Sequence, residues 1–453
     1  MYKICSISFN WTYFIHMQEK YTLDKCDINN ISITKEKIDI FLKNNVSKYS
    51  DKDYLYWDKI KYKTLPKWIK NNKELWGYIK FMRNLNYISP ISDDSWDFFK
   101  FGELQFSKEL LHEIDKNASG TFFTSFSETD KKMFIANGML EEAISSSQLE
   151  WASTTTKNAE KMIKENRKPI TDDEQMIMNN YQAMNYIKND LVNKDLEESD
   201  LLYLQTILTK DTLDNKDEEW RFRTDKDSII VEFERKISHI PPNQKKLKKD
   251  IKLFLDFANN KWKFNTFVHP IIKAILIHFW IWYLHPFCDW NGRTARWLFY
   301  WYVLKNDYFG FSYIPLSTAI KNSKIDYAKS YIYSEQDDLD LTYFINYNLR
   351  KIKIALDKFR EDVKEKFKDS NSSLKKLNHL GLNSRQIKLM SHFLDNKDSF
   401  TNATIHQNYY RIARWTSISD LKYLEKKGYI YSIKSWRNVN YFPADNLEEI
   451  VQE

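Results

Sequence analysis

The chain has 453 residues, enough for two or three domains, and its 42% hydrophobic residues can fill a sizeable core, which argues against wholesale disorder. A net charge of +7 over this length fits phosphate-bearing ligands without requiring nucleic acid. Three scattered cysteines argue against a disulfide framework and predict a reducing compartment, for which we take the cytoplasm. We recognise no signal peptide and no bilayer-spanning apolar stretch, so no membrane partner is expected.

The N-terminal part, residues 1–125, is predicted to be a helical region, with helices near 35–45 and 73–85. Only 8 glycines and 9 prolines punctuate the chain, which favours long helices over a turn-rich β architecture. Apolar residues at helical spacing then continue from residue 128 to 195. Within this stretch Thr171 has the character of an N-cap, because three acidic residues follow it directly.

The central part, residues 126–368, is predicted to be a mainly helical core that contains one β-hairpin. The hairpin is expected between Arg221 and Ile240, where Ile229, Ile230 and Val231 are β-branched. Predicted helices follow at Lys245–Asn259, His269–Tyr283, Ala295–Leu304, Lys321–Ser334 and Leu341–Phe367.

The C-terminal part, residues 375–453, is predicted to be a winged helix-turn-helix. Asp369–Ser373 is polar and is interpreted as a linker before it. The order is one helix at Ser384–Leu394, two helices within Ile405–Lys427 and an alternating hairpin at Tyr429–Phe442. The fold class is therefore mainly α.

The segment with the strongest chemical content is His285–Arg296, HPFCDWNGRTAR, which links two very apolar predicted helices. Pro286 ends the first helix, and His285 is placed as a candidate general base. Asp289 supplies a hard carboxylate, which is a ligand that Mg²⁺ prefers.

The second half of this segment predicts an anion site. Asn291 and Gly292 lie where the next helix begins, and free backbone N–H groups at a helix N-terminus attract anions. Arg293 and Arg296 are three residues apart and share one face, where two guanidinium groups can hold successive phosphates. The pattern predicts phosphoryl or nucleotidyl transfer. The bland alternative is a helical corner with a buried histidine and two surface arginines.

The string resembles the Fic family pattern HPFx[DE]GNGRxxR, and the resemblance extends over residues 54–367. The helices around the motif and the segment EEAISSSQLEWASTTTKNAEKM are similar to the same family. Fic proteins transfer AMP from ATP to a Ser, Thr or Tyr hydroxyl of a protein. The resemblance therefore implies a Fic-type helical bundle and an AMP-transferring enzyme that uses Mg-ATP.

The resemblance also implies a role for each motif position. His285 would be the base and Asp289 the Mg²⁺ ligand, whereas Asn291 and Gly292 would form the anion hole. Arg293 and Arg296 would bind the outer phosphates. The hairpin between Phe222 and Ile240 resembles the family's flap, which holds the target protein by strand-like pairing.

The segment Ser146–Glu150 resembles the family's inhibitory motif [ST]xxxE[GN]. Ser146 and Glu150 are four residues apart, so they lie on one helix face. In the family this glutamate pairs with the second motif arginine, here Arg296, and denies the ATP γ-phosphate its partner. The alternative is that Glu150 is an exposed helix carboxylate, the commonest environment of a glutamate.

Two tryptophans depart from the family pattern. Trp290 replaces a glycine of the motif, and Trp151 follows the inhibitory glutamate where the family has Gly or Asn. The rings could stack on one another or on the adenine. Three outcomes stay open. The indoles block the nucleotide pocket and leave a pseudo-enzyme, they reshape it for another nucleotide, or they point outward and leave the backbone amides usable.

The remaining candidates concern partners and metals. The chain itself (auto-AMPylation), a homodimer and DNA are candidate partners besides a target protein. DNA is suggested by basic residues around the winged helix, although such modules also bind proteins: Arg411, Arg414, Lys422, Lys426, Lys427, Lys434 and Arg437. A DNA-binding regulator whose core only senses ligand is thus an alternative function. Cys288 is interpreted as filler, and a zinc site at His269, His278 and His285 is not favoured.

Overall fold

The computed structural model describes residues 19–28, 31, 33–43, 49, 51–89, 99–118, 128–150, 152–165, 167–213, 215–261, 267–377, 380–397, 399–410, 412–435 and 438–452. The described part is mainly helical, as predicted. It contains no helix that is both long and apolar enough to cross a membrane.

The N-terminal part packs around its own hydrophobic cluster, which includes Phe41, Trp57, Trp76 and Tyr78. Buried polar groups join it to the core, since Lys80 donates to Asp337 at 2.8 Å. Its elements are α1 (Lys35–Lys43), α2 (Trp57–Ile60), α3 (Asn72–Leu85), β1 (Tyr87–Ile88), β2 (Phe101–Gly102) and α4 (Gln105–Ala118).

The central part is a helical bundle around two helices that are apolar on all sides, as expected of helices at the centre of a fold. These are α10 (Pro270–Leu284) and α11 (Asn291–Lys305), whose Trp280, Trp297 and Trp301 are fully buried, although α11 begins with polar residues that are also buried. Around them lie α5 (Glu128–Leu149), α6 (Thr156–Lys164), α7 (Asp172–Tyr186), α8 (Glu198–Thr209), α9 (Gln244–Ala258), α12 (Leu316–Lys321), α13 (Lys324–Gln336) and α14 (Thr342–Leu377).

The predicted hairpin is present but shorter than expected. It consists of β3 (Val231–Phe233) and β4 (Lys236–His239), paired antiparallel with Phe233 opposite Lys236. The two turn residues, Glu234 and Arg235, both have positive φ, at 52° and 62°. That conformation matches a tight two-residue hairpin turn. Neither residue is the glycine or asparagine that is typical of such a turn, so the sequence did not indicate its position.

The predicted N-cap at Thr171 is confirmed, because its side chain accepts a hydrogen bond from the Glu174 N–H. The expected linker at Asp369–Ser373 is wrong, because α14 continues as one helix to Leu377. A helix that is already formed and packed at its N-terminal end can extend through polar residues of moderate helix propensity. From composition alone, such residues suggest that the helix ends.

The C-terminal part has its own hydrophobic cluster around Leu421, Leu424 and Met390. Three helices precede a hairpin, which is the order required by the predicted winged helix, and β7 lies between β5 and β6. The elements are α15 (Ser384–Asp395), β5 (Thr401–Asn402), α16 (Ala403–Tyr410), α17 (Arg414–Lys426), β6 (Ile430–Ser435), β7 (Asn438–Pro443) and α18 (Leu447–Gln452).

Candidate active site

The motif forms the loop between α10 and α11, and two left-handed residues define its ends. His285 terminates α10 with φ 47°, and Trp290 precedes α11 with φ 70°. Asn291 closes the loop, because its amide donates to the Phe287 carbonyl at 2.8 Å and accepts from the Phe287 N–H at 2.9 Å. The Asn291 side chain therefore fixes the shape of the loop, while its backbone N–H is one of the N–H groups at the N-terminus of α11.

The proton location on His285 follows from its hydrogen bond. Nδ1 lies 2.9 Å from the Trp282 carbonyl, which can only accept, so Nδ1 carries the proton and Nε2 the lone pair. Burial, together with the neighbouring His239, lowers the pKa of His285 to about 3. The ring is therefore neutral near pH 7, which is the form that a general base requires.

Arg223 binds the backbone of the loop that begins at His285, and the sequence did not indicate this role. Its Nε donates to the His285 carbonyl at 2.8 Å, and its Nη2 donates to the Pro242 carbonyl at 2.6 Å. Its backbone N–H donates to the Pro286 carbonyl at 2.8 Å. The His285 and Pro286 carbonyls lie just after the end of α10, where carbonyls lack helical partners, whereas the Pro242 carbonyl lies between β4 and α9. No local pattern around Arg223 marks it, because its partners are distant in sequence.

Arg296 is buried and is held by the end of α5. Its Nη2 donates to Glu150 Oε1 at 2.9 Å, and its Nε donates to Ser146 Oγ at 3.0 Å. Burial raises the pKa of Glu150, but the charges of Arg296 and Arg293 outweigh it and hold that pKa below its usual value. Glu150 is therefore ionised near pH 7. The pairing of Glu150 with Arg296 that the resemblance implies is therefore present in the structure.

Gly292 lies against this ion pair. A Cβ atom at position 292 would come within 3.0 Å of Glu150 Oε1 and 3.6 Å of Arg296 Nη1. A side chain here would have to push against the carboxylate, so the absence of a Cβ leaves room for Glu150 to approach the start of α11.

Trp290 lies against Arg293 at the start of α11. The guanidinium carbon of Arg293 lies 3.4 Å from the centre of the indole ring, which is a stacked cation–π contact. Trp290 is buried in the central core, and the indole does not line the cavity beside Glu150. Trp151 lies outside the described residues, so the expected contact between the two rings does too.

Two buried groups in Trp290 and Arg293 lack hydrogen-bond partners within the described part of the chain. Trp290 Nε1 and Arg293 Nε are both buried without a hydrogen-bond partner there. Burial lowers the pKa of Arg293 to about 10, although Glu150 and Asp289 oppose the shift. Buried donors without partners are uncommon, and the cationic one, Arg293 Nε near the N-terminus of α11, fits an anionic ligand such as a nucleotide phosphate.

Asp289 is partly exposed at the tip of the loop, and its Oδ1 accepts the Trp290 N–H at 2.8 Å. One carboxylate beside a candidate phosphate site would suit Mg²⁺, which is usually bound by one or two carboxylates together with substrate phosphates and water.

A cavity of about 190 Å³ opens beside the ion pair. Small-molecule pockets usually enclose about 300–1,000 Å³, so this one is narrow. Its walls include Glu150, Gly292, Arg296, Lys324, Tyr327 and Phe233 of the hairpin. Lys324 also donates to the Gln148 carbonyl at 2.7 Å and the Leu149 carbonyl at 3.3 Å, so it fixes the end of the helix that carries Glu150.

The other candidate residues lie elsewhere. His269 caps α10, and His278 bonds to the Tyr327 hydroxyl at 2.8 Å, so each has a structural partner. Cys288 is buried. Among the basic residues of the C-terminal part, Lys422 and Lys426 lie on α17 and Lys434 lies on β6, whereas Arg411 and Arg437 are outside the described residues.

Residues 195–303 match the family model described as the Fic/DOC family. Proteins named protein adenylyltransferase Fic are similar over 58 residues, at 43% identity in Nematostella vectensis and 36% in Drosophila willistoni. These alignments cover 13% of this chain and only 13% and 11% of the relatives.

Two solved structures are similar at 17% identity. A Fic family protein from Desulfovibrio desulfuricans G20 has a TM-score of 0.49 and is covered to 99%, against 79% of this chain. Fic-1 (residues 134–508) from C. elegans has a TM-score of 0.47, with 74% of that structure and 58% of this chain covered. The segment matched by the family model contains the whole motif loop, so this part of the chain, residues 195–303, matches the Fic/DOC family.

Proposed function

We propose that this protein transfers AMP from Mg-ATP to a hydroxyl of a protein substrate and that Glu150 inhibits this reaction. The observation that carries the proposal is the Glu150–Arg296 ion pair. In it, a carboxylate binds the arginine that would otherwise hold the outer phosphate of ATP. Arg–carboxylate and Arg–phosphate contacts use the same N–H donors, so one excludes the other.

The chemistry follows from the positions of the groups. His285 Nε2 takes the proton of a Ser, Thr or Tyr hydroxyl, and the oxygen attacks the α-phosphorus of ATP. A bond forms between this oxygen and phosphorus while the bond to the bridging oxygen breaks, and pyrophosphate leaves with that electron pair. Arg293, Arg296 and the N-terminus of α11 stabilise the negative charge. Mg²⁺ at Asp289 would neutralise charge on the phosphates.

The target segment is proposed to lie along the flap, next to β3 and β4. Phe233 at the end of β3 lines the cavity beside Glu150. The His239 ring at the end of β4 is centred 6.2 Å from the His285 ring. An extended segment paired with the flap would therefore run close to the base, and strand addition is a common way to hold such a segment.

The test is incorporation of label from ATP labelled at the α-phosphate. Glu150→Gly should show strong incorporation into the protein itself, and the double variant Glu150→Gly/His285→Ala should show none. Equal incorporation by the double variant would remove His285 as the base. A folded Glu150→Gly variant that binds ATP in calorimetry but incorporates nothing would instead support the alternative, a nucleotide-binding pseudo-enzyme silenced by Trp290.

The second alternative is a DNA-binding regulator, and it is supported by the basic residues on α17 and β6. A mobility-shift assay with duplex DNA over a salt titration tests it, since phosphate contacts make affinity fall steeply with salt. The absence of a salt-dependent complex would leave AMP transfer as the better proposal.

A further inference from the structure

The outer edge of the flap is occupied by a distant segment of the same chain. Residues 19–21 run parallel to β4, with Lys20 opposite Ile237. The Ile237 N–H donates to the Glu19 carbonyl at 3.0 Å, and the Tyr21 N–H donates to the Ile237 carbonyl at 2.7 Å. Because β3 pairs with the other edge of β4, the short segment completes a third strand.

Side chains fix this segment, called the N-terminal strand (Glu19–Tyr21), in register. Glu19 forms an ion pair with Lys236 at 2.5 Å, and the Tyr21 ring meets the Phe233 ring edge-on at 5.1 Å. The Gln336 side chain donates to the Tyr21 carbonyl at 2.7 Å, and its Oε1 accepts the Leu23 N–H at the same distance. The attachment therefore involves the flap tip and the end of α13.

We propose that the N-terminal strand is an intramolecular occupant of the flap edge, which a segment of the target protein must displace before it can pair with β4. This inference rests on the proposed function, because it concerns the surface proposed to hold the target. Strand addition needs an unpaired N–H and C=O on the accepting strand. At Ile237 both groups are already bonded to the N-terminal strand, so the two pairings exclude each other.

The contacts between the N-terminal strand and the flap are weak, so the pairing can be reversible. Glu19 and Lys236 are both largely exposed, and exposed ion pairs are weak and screened by salt. Two backbone hydrogen bonds at one residue make a much shorter ladder than an extended target segment could form along the four residues of β4. A longer strand can therefore replace the N-terminal strand.

Two proline variants separate the backbone pairing from general disruption. Tyr21→Pro removes the N–H that donates to Ile237, whereas Lys20→Pro removes an N–H that, in this parallel register, points away from β4. Hydrogen exchange of the Ile237 amide in the full chain should be at least about tenfold faster in Tyr21→Pro and unchanged in Lys20→Pro. Tyr21→Ala, which loses the ring but keeps the N–H, should exchange more slowly than Tyr21→Pro. Equal exchange in Tyr21→Pro and wild type would overturn the pairing.

Competition is measured with a labelled peptide of residues 17–25, MQEKYTLDK, by fluorescence anisotropy. We expect it to bind full-length Tyr21→Pro at least about tenfold more tightly than wild type or Lys20→Pro, since only the first has an open edge. A peptide with proline at its tyrosine position is the negative control. Equal binding to wild type and Tyr21→Pro, or binding to neither, would overturn the proposal. Both measurements omit ATP, so their failure is distinct from a failure of AMP transfer.

Discussion

Arg293 and Arg296 lie one turn apart on α11, yet groups of different kinds hold them. Arg296 is bonded to a carboxylate and a hydroxyl of α5, and although burial opposes it, Glu150 raises the pKa of this arginine above its usual value. Arg293 stacks on the indole of Trp290, within its own loop, and burial lowers its pKa to about 10. One cation is neutralised by a group from another helix, and the other is supported by a ring that carries no charge.

If the start of α11 binds the nucleotide as proposed, this difference indicates which side of the proposed anion site can switch. A carboxylate competes directly with a phosphate for the N–H donors of Arg296. An indole covers only the flat face of Arg293. On its edge, Nη2 donates to the Met176 sulfur at 3.5 Å, whereas Nε has no partner in the described part of the chain and can bind a ligand. The α5 side is therefore expected to control nucleotide binding, and the Trp290 side to set the shape and stability of the loop.

The largest effect is expected from removing only the charge, in Glu150→Gln. A hydrogen bond to a charged group contributes about 1.5–3 kcal/mol, so losing the competitor should tighten ATP binding by about 10- to 100-fold. Calorimetry measures this affinity. Glu141→Gln, on the same helix and paired with exposed Lys358 at 3.6 Å, is the matched control and should bind ATP as wild type does. Unchanged affinity in Glu150→Gln would contradict the switching role of the α5 side.

A different effect is expected from Trp290→Gly, which should change ATP affinity less than Glu150→Gln does and should lower stability instead. Deleting a buried tryptophan costs about 3–5 kcal/mol, and relief of a left-handed non-glycine backbone returns about 1 kcal/mol or more. The free energy of unfolding should fall by about 2–4 kcal/mol in denaturant titrations. In the Glu150→Gln background, ATP affinity should change by less than about threefold, since the indole does not line the cavity. ATP binding that appears only when Trp290 is replaced would show that the indole blocks the pocket.

The sequence predicted the secondary structure and the contacts of the two arginines on different grounds. Many of the helices and the fold class were predicted because apolar periodicity is local, and the hairpin was predicted from its β-branched residues. The helices α4 and α8 were not predicted. The pairing of Glu150 with Arg296 came from the resemblance, since the two residues are 146 positions apart and no local pattern links them.

The sequence could not show what Trp290 and Arg223 do. A tryptophan at φ 70° is disfavoured locally and persists only because the core around it fixes the loop, which is a tertiary effect. Arg223 bonds to carbonyls of a loop 62 residues away, so its partners depend on the folded chain. Helix continuity through Asp369–Ser373 was missed for a related reason, because composition alone suggested a linker there.

A modest effect is expected at Lys324, which ties the end of α5 to α13. Lys324→Met removes a cation from two helix-terminal carbonyls, a contact of about 0.3–1 kcal/mol, and should raise ATP affinity by about two- to fivefold by loosening Glu150. Lys321→Met is the matched control, because Lys321 donates to the Gln148 side chain and not to these carbonyls. Weaker ATP binding in Lys324→Met would mean that this lysine serves the nucleotide more than the inhibitory helix.

The smallest effect is expected from pH, where both halves should stay in one charge state. The pKa of His285 lies near 3, so the free base is neutral throughout pH 5–8 and loses its lone pair only in stronger acid. Glu150 is among the groups that raise this pKa, so its removal moves the titration further from neutrality. The lowered pKa of Glu150 likewise keeps its carboxylate charged until the pH falls below the usual range of a glutamate pKa. The rate of self-modification by Glu150→Gly at low ATP should therefore be flat between pH 6 and about 8, whereas an unperturbed histidine would halve it near 6.5. A decline centred near pH 6.5 would mean that the His285 ring is solvated in the open state, and that withdrawing Glu150 also opens the loop that carries Trp290.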